Sequence, residues 1–309
     1  MKIIFMGTPR FAVPCLERLI MDGHQIVLVV TQPDRPKGRG YKTAPSAIKE
    51  AAVKRGLPVY QPDTLKNNQQ AREKLKSCGA DVAVVVAFGQ ILPPEVLSIP
   101  KYGCINVHAS LLPKYRGAAP IQWAIINGET ETGVTTMMMD AGLDTGDMLI
   151  KRKVEIPPDM TAGELHDILA LEGSTAISDT LTLLEQGRLE SKKQDDTLSS
   201  HAPMINRDLT LIDWSKPAAD IHNLIRGLNP FPGARTKLGG RILKLFRSSL
   251  AGNTDCAPGT VISNSPLTIA CGGGTALEII ELQLEGAKRM TSELFLMGHR
   301  MEIGRKLPD

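Results

Sequence analysis

Apolar residues follow two rhythms along this chain. Four short runs, Lys2–Met6, Ile26–Val30, Asp81–Ala87 and Gly103–Val107, are rich in Val and Ile, the composition of strands covered on both faces and shielded from water. Between them the apolar spacing becomes helical. Cys15, Leu16, Leu19 and Ile20 form one stripe behind Pro14, which suits a first helical turn. Ala118–Ile126 and Leu165–Leu184 repeat the pattern, the latter stopping at Gly187. Strands alternating with helices predict an α/β fold, a Rossmann-like parallel sheet with helices on both faces, over residues 1–188.

From Gly187 to about Arg207 the helical period disappears, and Glu190–Thr197 is charged or polar throughout. Residues 189–207 therefore read as a linker. Beyond it a short helical pattern at Ala218–Leu228 precedes strand-like runs at Ile242–Phe246, Gly259–Ile262, Leu267–Ala270 and Leu277–Leu284, separated by Gly and Pro turns. That pattern predicts a small β-rich, barrel-like domain over 208–309.

Composition narrows the class. The chain's 309 residues suit one large domain or two ordinary ones, and 42% hydrophobic residues can fill a core. With 36 Lys+Arg against 33 Asp+Glu, neither a disordered polyelectrolyte nor a uniformly basic nucleic-acid coat fits. Aromatic residues are only 4%, which argues against a strand binder built on stacking platforms. The five cysteines (Cys15, Cys78, Cys104, Cys256, Cys271) are scattered, with no Cys-x-x-Cys pair, so neither a disulfide framework nor a zinc site is expected. The apolar run Ile3–Met6 is too short for a signal segment, and no run suits a membrane span; a soluble cytoplasmic protein is expected. Charge is uneven locally: between Arg226 and Leu250 stand Arg226, Arg235, Lys237, Arg241, Lys244 and Arg247 with no Asp or Glu. This run reads either as a solvated basic face or as a surface for phosphates.

Three segments can carry chemistry, and a fourth argues against one kind of ligand. Gly7-Thr8-Pro9 follows the first strand where nucleotide folds place a phosphate turn, but the G-x-G-x-x-G set is missing, so a plain strand-to-helix turn is favoured over a dinucleotide site. Asn106 and His108 are two apart at the end of a strand, which puts an amide and an imidazole on one face where ligand crevices form. A strand-end histidine alone is more often structural than catalytic, so its neighbours decide. Asp140, Asp144 and Asp147 lie in a loop with Gly142 and Gly146; a carboxylate reaching His108 would hold one ring nitrogen and set its tautomer, whereas any single Asp there can equally cap a turn. The segment Gln32–Lys42 carries Arg35, Lys37, Arg39 and Lys42 among prolines and glycines, and reads as an exposed, mobile loop that either solubilises the chain or orders on a polyanion.

These residues resemble a known family. Asn106-Val107-His108, Ser110-Leu111-Leu112-Pro113, Tyr115 to Pro120 and Asp140 to Met148 are similar to the signature of formyltetrahydrofolate-dependent formyltransferases. The Gln32–Gly40 loop and Ile212-Asp213-Trp214 resemble the branch of that family acting on methionyl-tRNA, and the likeness runs nearly end to end. The resemblance implies transfer of a formyl group from 10-formyltetrahydrofolate to the amino group of methionine on initiator tRNA, in the service of translation initiation. It also implies roles: Asn106, His108 and Asp144 catalytic, Ser110, Leu111, Leu112 and Pro113 against the folate and its formyl-carrying group, and Arg35, Lys37, Arg39, Lys42, Arg235, Arg241 and Lys244 on the tRNA. No metal is expected, because His and Cys never cluster at ligand spacing, and a bulky tRNA that must reach one open cleft suits a monomer. One departure stands at the entry to the second domain, where lysines are expected and the chain reads Ala202-Pro203-Met204-Ile205-Asn206-Arg207. Two other readings remain open: a formyltransferase acting on a sugar-nucleotide amine or glycinamide ribotide, and a non-catalytic RNA-binding protein on an enzyme fold.

Overall fold

A computed structural model describes residues 1–37, 42–299 and 301–309. They form two compact units, Met1–Gly117 with Thr132–Val154 and His166–His201, and Ala118–Glu131 with Glu155–Leu165 and Ala202–Asp309. In chain order the first elements are β1 (Lys2–Gly7), α1 (Val13–Met21), β2 (Gln25–Val30), β3 (Arg35–Lys37), β4 (Lys42–Ala44), α2 (Ala47–Lys54) and β5 (Val59–Tyr60). There follow α3 (Gln69–Ser77), β6 (Val82–Val86), α4 (Pro94–Leu97), β7 (Cys104–His108), α5 (Pro120–Ile126), β8 (Glu131–Met138), β9 (Met148–Glu155) and α6 (Ala162–Glu185).

Among the described residues the first sheet has seven strands in the order β5-β2-β1-β6-β7-β8-β9. The four strands expected from the sequence are β1, β2, β6 and β7, adjacent in the sheet and parallel. All five residues of β6 are buried, as its unbroken run of apolar residues requires. One side packs Ile4, Met6, Leu28, Val30, Leu75, Val85, Phe88 and Leu92 into a single cluster, each such side chain contributing about 1.5–3 kcal/mol by leaving water. After β7 the direction reverses, because β8 runs antiparallel to it. Helix starts are satisfied locally: Ser46 Oγ accepts from Lys49 N–H at 3.1 Å, and at α6 Thr161 and Glu164 exchange hydrogen bonds as a capping box.

The second unit adds α7 (Ala218–Gly227), β10 (Ala234–Leu238), β11 (Arg241–Asn253), β12 (Val261–Asn264), β13 (Leu267–Cys271), β14 (Thr275–Leu284), β15 (Met290–Thr291) and α8 (Ser292–Gly298). Its strands make an antiparallel sheet in the order β10-β11-β14-β13-β12, with β15 on β14. β11 is longer than the run Ile242–Phe246 and shifts register against β14 after Leu245, an irregularity that bends a strand. Trp214, Ile221, Ile225, Leu245, Ile269, Leu277 and Phe295 share its core.

Candidate active site

β7 runs between β6 and β8, with Asn106 opposite Val85 on one side and Met137 on the other. Asn106 and His108 share a face, as their spacing requires. His108 is buried, at 6% exposure. The Asn106 side-chain amide is half-buried and bonded to no described residue, so its N–H groups are open to a ligand.

Past the strand the chain folds back in a hydrogen-bonded loop. Ser110 Oγ donates to the Lys114 carbonyl at 2.6 Å, Thr135 Oγ1 donates to the Ser110 carbonyl at 2.7 Å, and the same hydroxyl accepts from Leu112 N–H at 3.1 Å. The loop delivers the Tyr115 carbonyl to His108 Nε2 at 2.9 Å. A carbonyl only accepts, so Nε2 carries the hydrogen in this pairing. Nδ1 is left as the ring nitrogen that can gain or lose a proton, and it faces Asp144 Oδ2 at 3.6 Å.

Of the three carboxylates in the 139–147 loop, only Asp144 faces the imidazole. Asp140 Oδ1 accepts from Gly142 N–H at 3.0 Å and Thr145 Oγ1 at 2.7 Å, a turn-capping role. Asp147 meets Ser191 Oγ at 3.4 Å. Asp144 Oδ2 also accepts from Gly117 N–H at 2.9 Å, which ties the two loops together beside the ring.

The four residues expected along a folate divide in two. Ser110 and Leu112 are fully buried, and Leu112 packs on Met137 and Met148, so they build the loop. Leu111 and Pro113 are half-buried and offer surface. The turn leaving β6 went unnoticed in the sequence. Ala87 and Gly89, just past the end of the strand whose Val85 pairs with Asn106, both take positive φ, 46° and 81°, a conformation that costs free energy for Ala and collects near functional sites. The available signal was Ala-Phe-Gly-Gln directly after an all-apolar strand. Thr8 explains the earlier turn: its hydroxyl donates to the Phe88 carbonyl at 2.8 Å, a structural tie.

Of the basic residues, Arg35 is exposed and contacts Gln32 Oε1 at 3.4 Å. The structure puts β3 and β4 where a mobile loop was expected: Arg35 pairs with Ala44 and Lys37 with Lys42 in a short antiparallel ladder. Arg39 and the side chains of Lys37 and Lys42 lie outside the described residues. On β10 and β11, Arg235 stands opposite Lys244, and Lys237 and Arg241 are exposed. Lys244 Nζ donates to the Pro232 carbonyl at 2.9 Å, Arg235 Nη2 to the Arg207 carbonyl at 3.0 Å, and Arg241 to the Glu285 carbonyl. Two members of the basic run leave the uncompensated set. Arg226 is buried with its guanidinium on the Met160 carbonyl and Asn223, and Arg247 pairs with Glu164 at 2.6 Å and Glu281 at 3.7 Å. Charge compensation between residues this far apart in sequence is invisible in a local count.

All five cysteines are unpaired thiols, and burial pushes Cys15, Cys104 and Cys271 up to about 12. Among the described residues no group of His, Cys, Asp or Glu is arranged to hold a metal, and no helix is long and apolar enough to cross a membrane.

Residues 1–181 match the Formyl transferase family model and 204–300 the Formyl transferase, C-terminal domain model. The class defined by this sheet and this site is thus a formyl transferase. Methionyl-tRNA formyltransferase of Geotalea uraniireducens is 53% identical over 98% of this chain and 97% of its own length. Those of Geobacter metallireducens and Caldanaerobacter subterraneus are 52% and 50% identical, covering 99% and 98% of this chain and 98% and 99% of their own. The chain belongs to the methionyl-tRNA formyltransferase family. Among solved structures, an N-formyltransferase from Helicobacter canadensis in complex with folinic acid and dTDP-3-aminofucose shares the fold at TM-score 0.68 and 22% identity, over 90% of this chain and 98% of that one. HypX from Aquifex aeolicus in complex with tetrahydrofolic acid does so at 0.63 and 17%, over 99% of this chain and 50% of that one.

Proposed function

We propose that this chain transfers the formyl group of 10-formyltetrahydrofolate to the α-amino group of methionine on initiator tRNA, giving N-formylmethionyl-tRNA and tetrahydrofolate for translation initiation. The observation that carries the reading is the convergence of an unengaged amide, Asn106, with His108 and Asp144 at the carboxyl end of β7. Attack of an amine on a formyl carbon produces an oxyanion and an ammonium, so a site needs a donor for one and a proton path for the other. The Asn106 amide donates to the oxyanion. His108 Nδ1 takes the ammonium proton while Asp144 compensates the imidazolium, and the proton then returns to the departing folate nitrogen. The Ser110–Pro113 loop holds the folate, with Leu111 and Pro113 against it.

In this reading residues 1–188 serve as the catalytic domain, and 208–309, an OB-like barrel reached through 189–207, bind tRNA through Arg235, Arg241 and Lys244. Arg35, Lys37, Arg39 and Lys42 reach the acceptor end. The enzyme works as a cytoplasmic monomer. Identity near 50% along the whole chain to methionyl-tRNA formyltransferases supports this acceptor over sugar nucleotides, since the sugar-acting relative shares only the fold. The test is transfer of radiolabelled formyl from 10-formyltetrahydrofolate to charged initiator tRNA, with elongator Met-tRNA and free methionine alongside. Label on the initiator alone is expected; folate binding without any label on tRNA would overturn the acceptor.

A further inference from the structure

The segment between α6 and the second unit reads as a linker, but its contacts are those of a brace. Lys192 exchanges backbone hydrogen bonds with Met148, at 2.8 and 2.9 Å. Gln194 spends its whole amide: Nε2 donates to the carbonyls of Asp144 at 2.7 Å and Gly146 at 2.8 Å, and Oε1 accepts from Arg116 Nε at 3.0 Å and Nη2 at 2.8 Å. Arg116 in turn pairs with Asp196 at 2.7 Å. Further on, Ser200 Oγ accepts from Tyr115 N–H at 2.9 Å, and the Ser200 carbonyl accepts from Arg116 N–H at 2.8 Å.

Both residues that face His108 are thus gripped by one strap. Tyr115, whose carbonyl holds Nε2, is gripped by Ser200; Asp144, whose carboxylate faces Nδ1, is gripped by Gln194. Both also sit in the left-handed region, with φ of 60° and 54°. Non-glycine residues hold that conformation only when their surroundings over-determine it. A solvated linker would have no reason to saturate a glutamine with two donors and two acceptances on residues about fifty and eighty positions away.

We infer that residues 192–201 form a positioning strap for the catalytic histidine, with Gln194 and Ser200 as positioning residues acting through Asp144 and Tyr115. The inference rests on the catalytic reading of His108 and Asp144 given above. Without the strap the two loops relax, the partners of His108 drift, and turnover falls while the binding surfaces stay in place. A misplacement of about 1 Å can cost on the order of a hundredfold in rate.

The test uses the full chain and the formyl-transfer assay with Met-tRNA. Gln194→Leu and Ser200→Ala are compared with the parent chain, with Ser200→Thr, which keeps the hydroxyl, and with Gln194→Leu in an Asp144→Asn background. Gln194→Leu is expected to lower kcat roughly tenfold or more, with KM for 10-formyltetrahydrofolate within about twofold. In the Asp144→Asn background it should add nothing further, and Ser200→Thr should restore what Ser200→Ala loses. Parental kcat in both Gln194→Leu and Ser200→Ala, or an equal fractional loss from Gln194→Leu in both backgrounds, overturns the strap while leaving the catalytic reading intact. Full activity of Asp144→Asn alone overturns the catalytic reading and the strap with it. If Gln194→Leu does not fold, the Ser200→Ala and Ser200→Thr pair decides.

Discussion

Asp144 meets His108 with its carboxylate 3.6 Å from Nδ1, and does so from a backbone held at φ 54°. The opposite ring nitrogen is committed to the Tyr115 carbonyl at 2.9 Å. The imidazole therefore has one fixed hydrogen and one exchangeable position, and the exchangeable one faces the carboxylate. In the proposed reaction this turns His108 towards proton handling and leaves Asn106 as the donor for the oxyanion.

Asn106→Ala removes that donor with little disturbance, because the amide bonds to no other described residue. Loss of one oxyanion donor typically costs about 2.7–4 kcal/mol, or roughly 10²–10³ in rate. A fall in kcat of at least about a hundredfold is expected, with an unchanged thermal midpoint. Asp144→Asn should lose about as much, and since Asn tolerates positive φ, the loop backbone should stay in place. Steady-state kinetics beside a thermal melt check both, and near-parental turnover of either variant removes that residue from the catalytic set.

Gly146 is required by close approach. A Cβ built there lies 1.7 Å from the Met138 carbonyl oxygen, where the loop returns to β8 through the Met138 N–H to Asp147 carbonyl bond of 2.9 Å. Gly146→Ala must move the loop that carries Asp144. A loss of kcat on the order of a hundredfold is expected, with a lower melting temperature. Gly187→Ala is the control: its φ is +65° but nothing lies within 4 Å, so it should cost about 1–2 kcal/mol of stability and leave kcat alone. Equal kinetics of the two variants would show that the Asp144 loop tolerates displacement.

The legible parts of the molecule were those in which one local rule decides. β1, β2, β6 and β7 are unbroken apolar runs, and Asn106 and His108 share a face by spacing alone. β8 escaped notice because Thr135 and Thr136 look polar in sequence, yet both are fully buried; Thr135 bonds to the 110–112 loop and Thr136 to Thr180. α3 hides for the opposite reason, since it buries only Ala71 and Leu75 under a charged surface. The choice of Asp144 over Asp140 and Asp147 depends on where a folded loop points. Gln194 could not be read at all, because its partners are brought to it by tertiary structure.

The thiols should be spectators. Cys104 lies in β7 two residues before Asn106, but burial pushes it up to about 12, as it does Cys15 and Cys271. At pH 8 each is therefore held as the unreactive thiol rather than the thiolate. Cys256 is exposed. Treatment of the folded enzyme with iodoacetamide at pH 8 is expected to modify Cys256 first, by mass spectrometry of peptides, with formyl transfer retained. Early labelling of Cys104, or activity lost in step with Cys256, would contradict this.

The basic face of β10 and β11 should report through salt. Arg235 and Lys244 stand opposite each other, Lys237 is exposed beside them, and Arg241 lies at the Gly239-Gly240 turn. Each phosphate contact releases counterions and adds about 0.7–0.9 to the slope of log affinity against log salt. Arg241→Ala or Lys244→Ala should therefore raise KM for Met-tRNA and flatten that slope by about one such step, while KM for 10-formyltetrahydrofolate stays put. Arg39→Ala should show the same split between the two substrates. Because Arg241 and Lys244 also hold the carbonyls of Glu285 and Pro232, Lys237→Ala serves as a variant that removes charge alone. A KM for tRNA indifferent to salt in the parent chain, or equal changes in both KM values, would take these residues off the tRNA path.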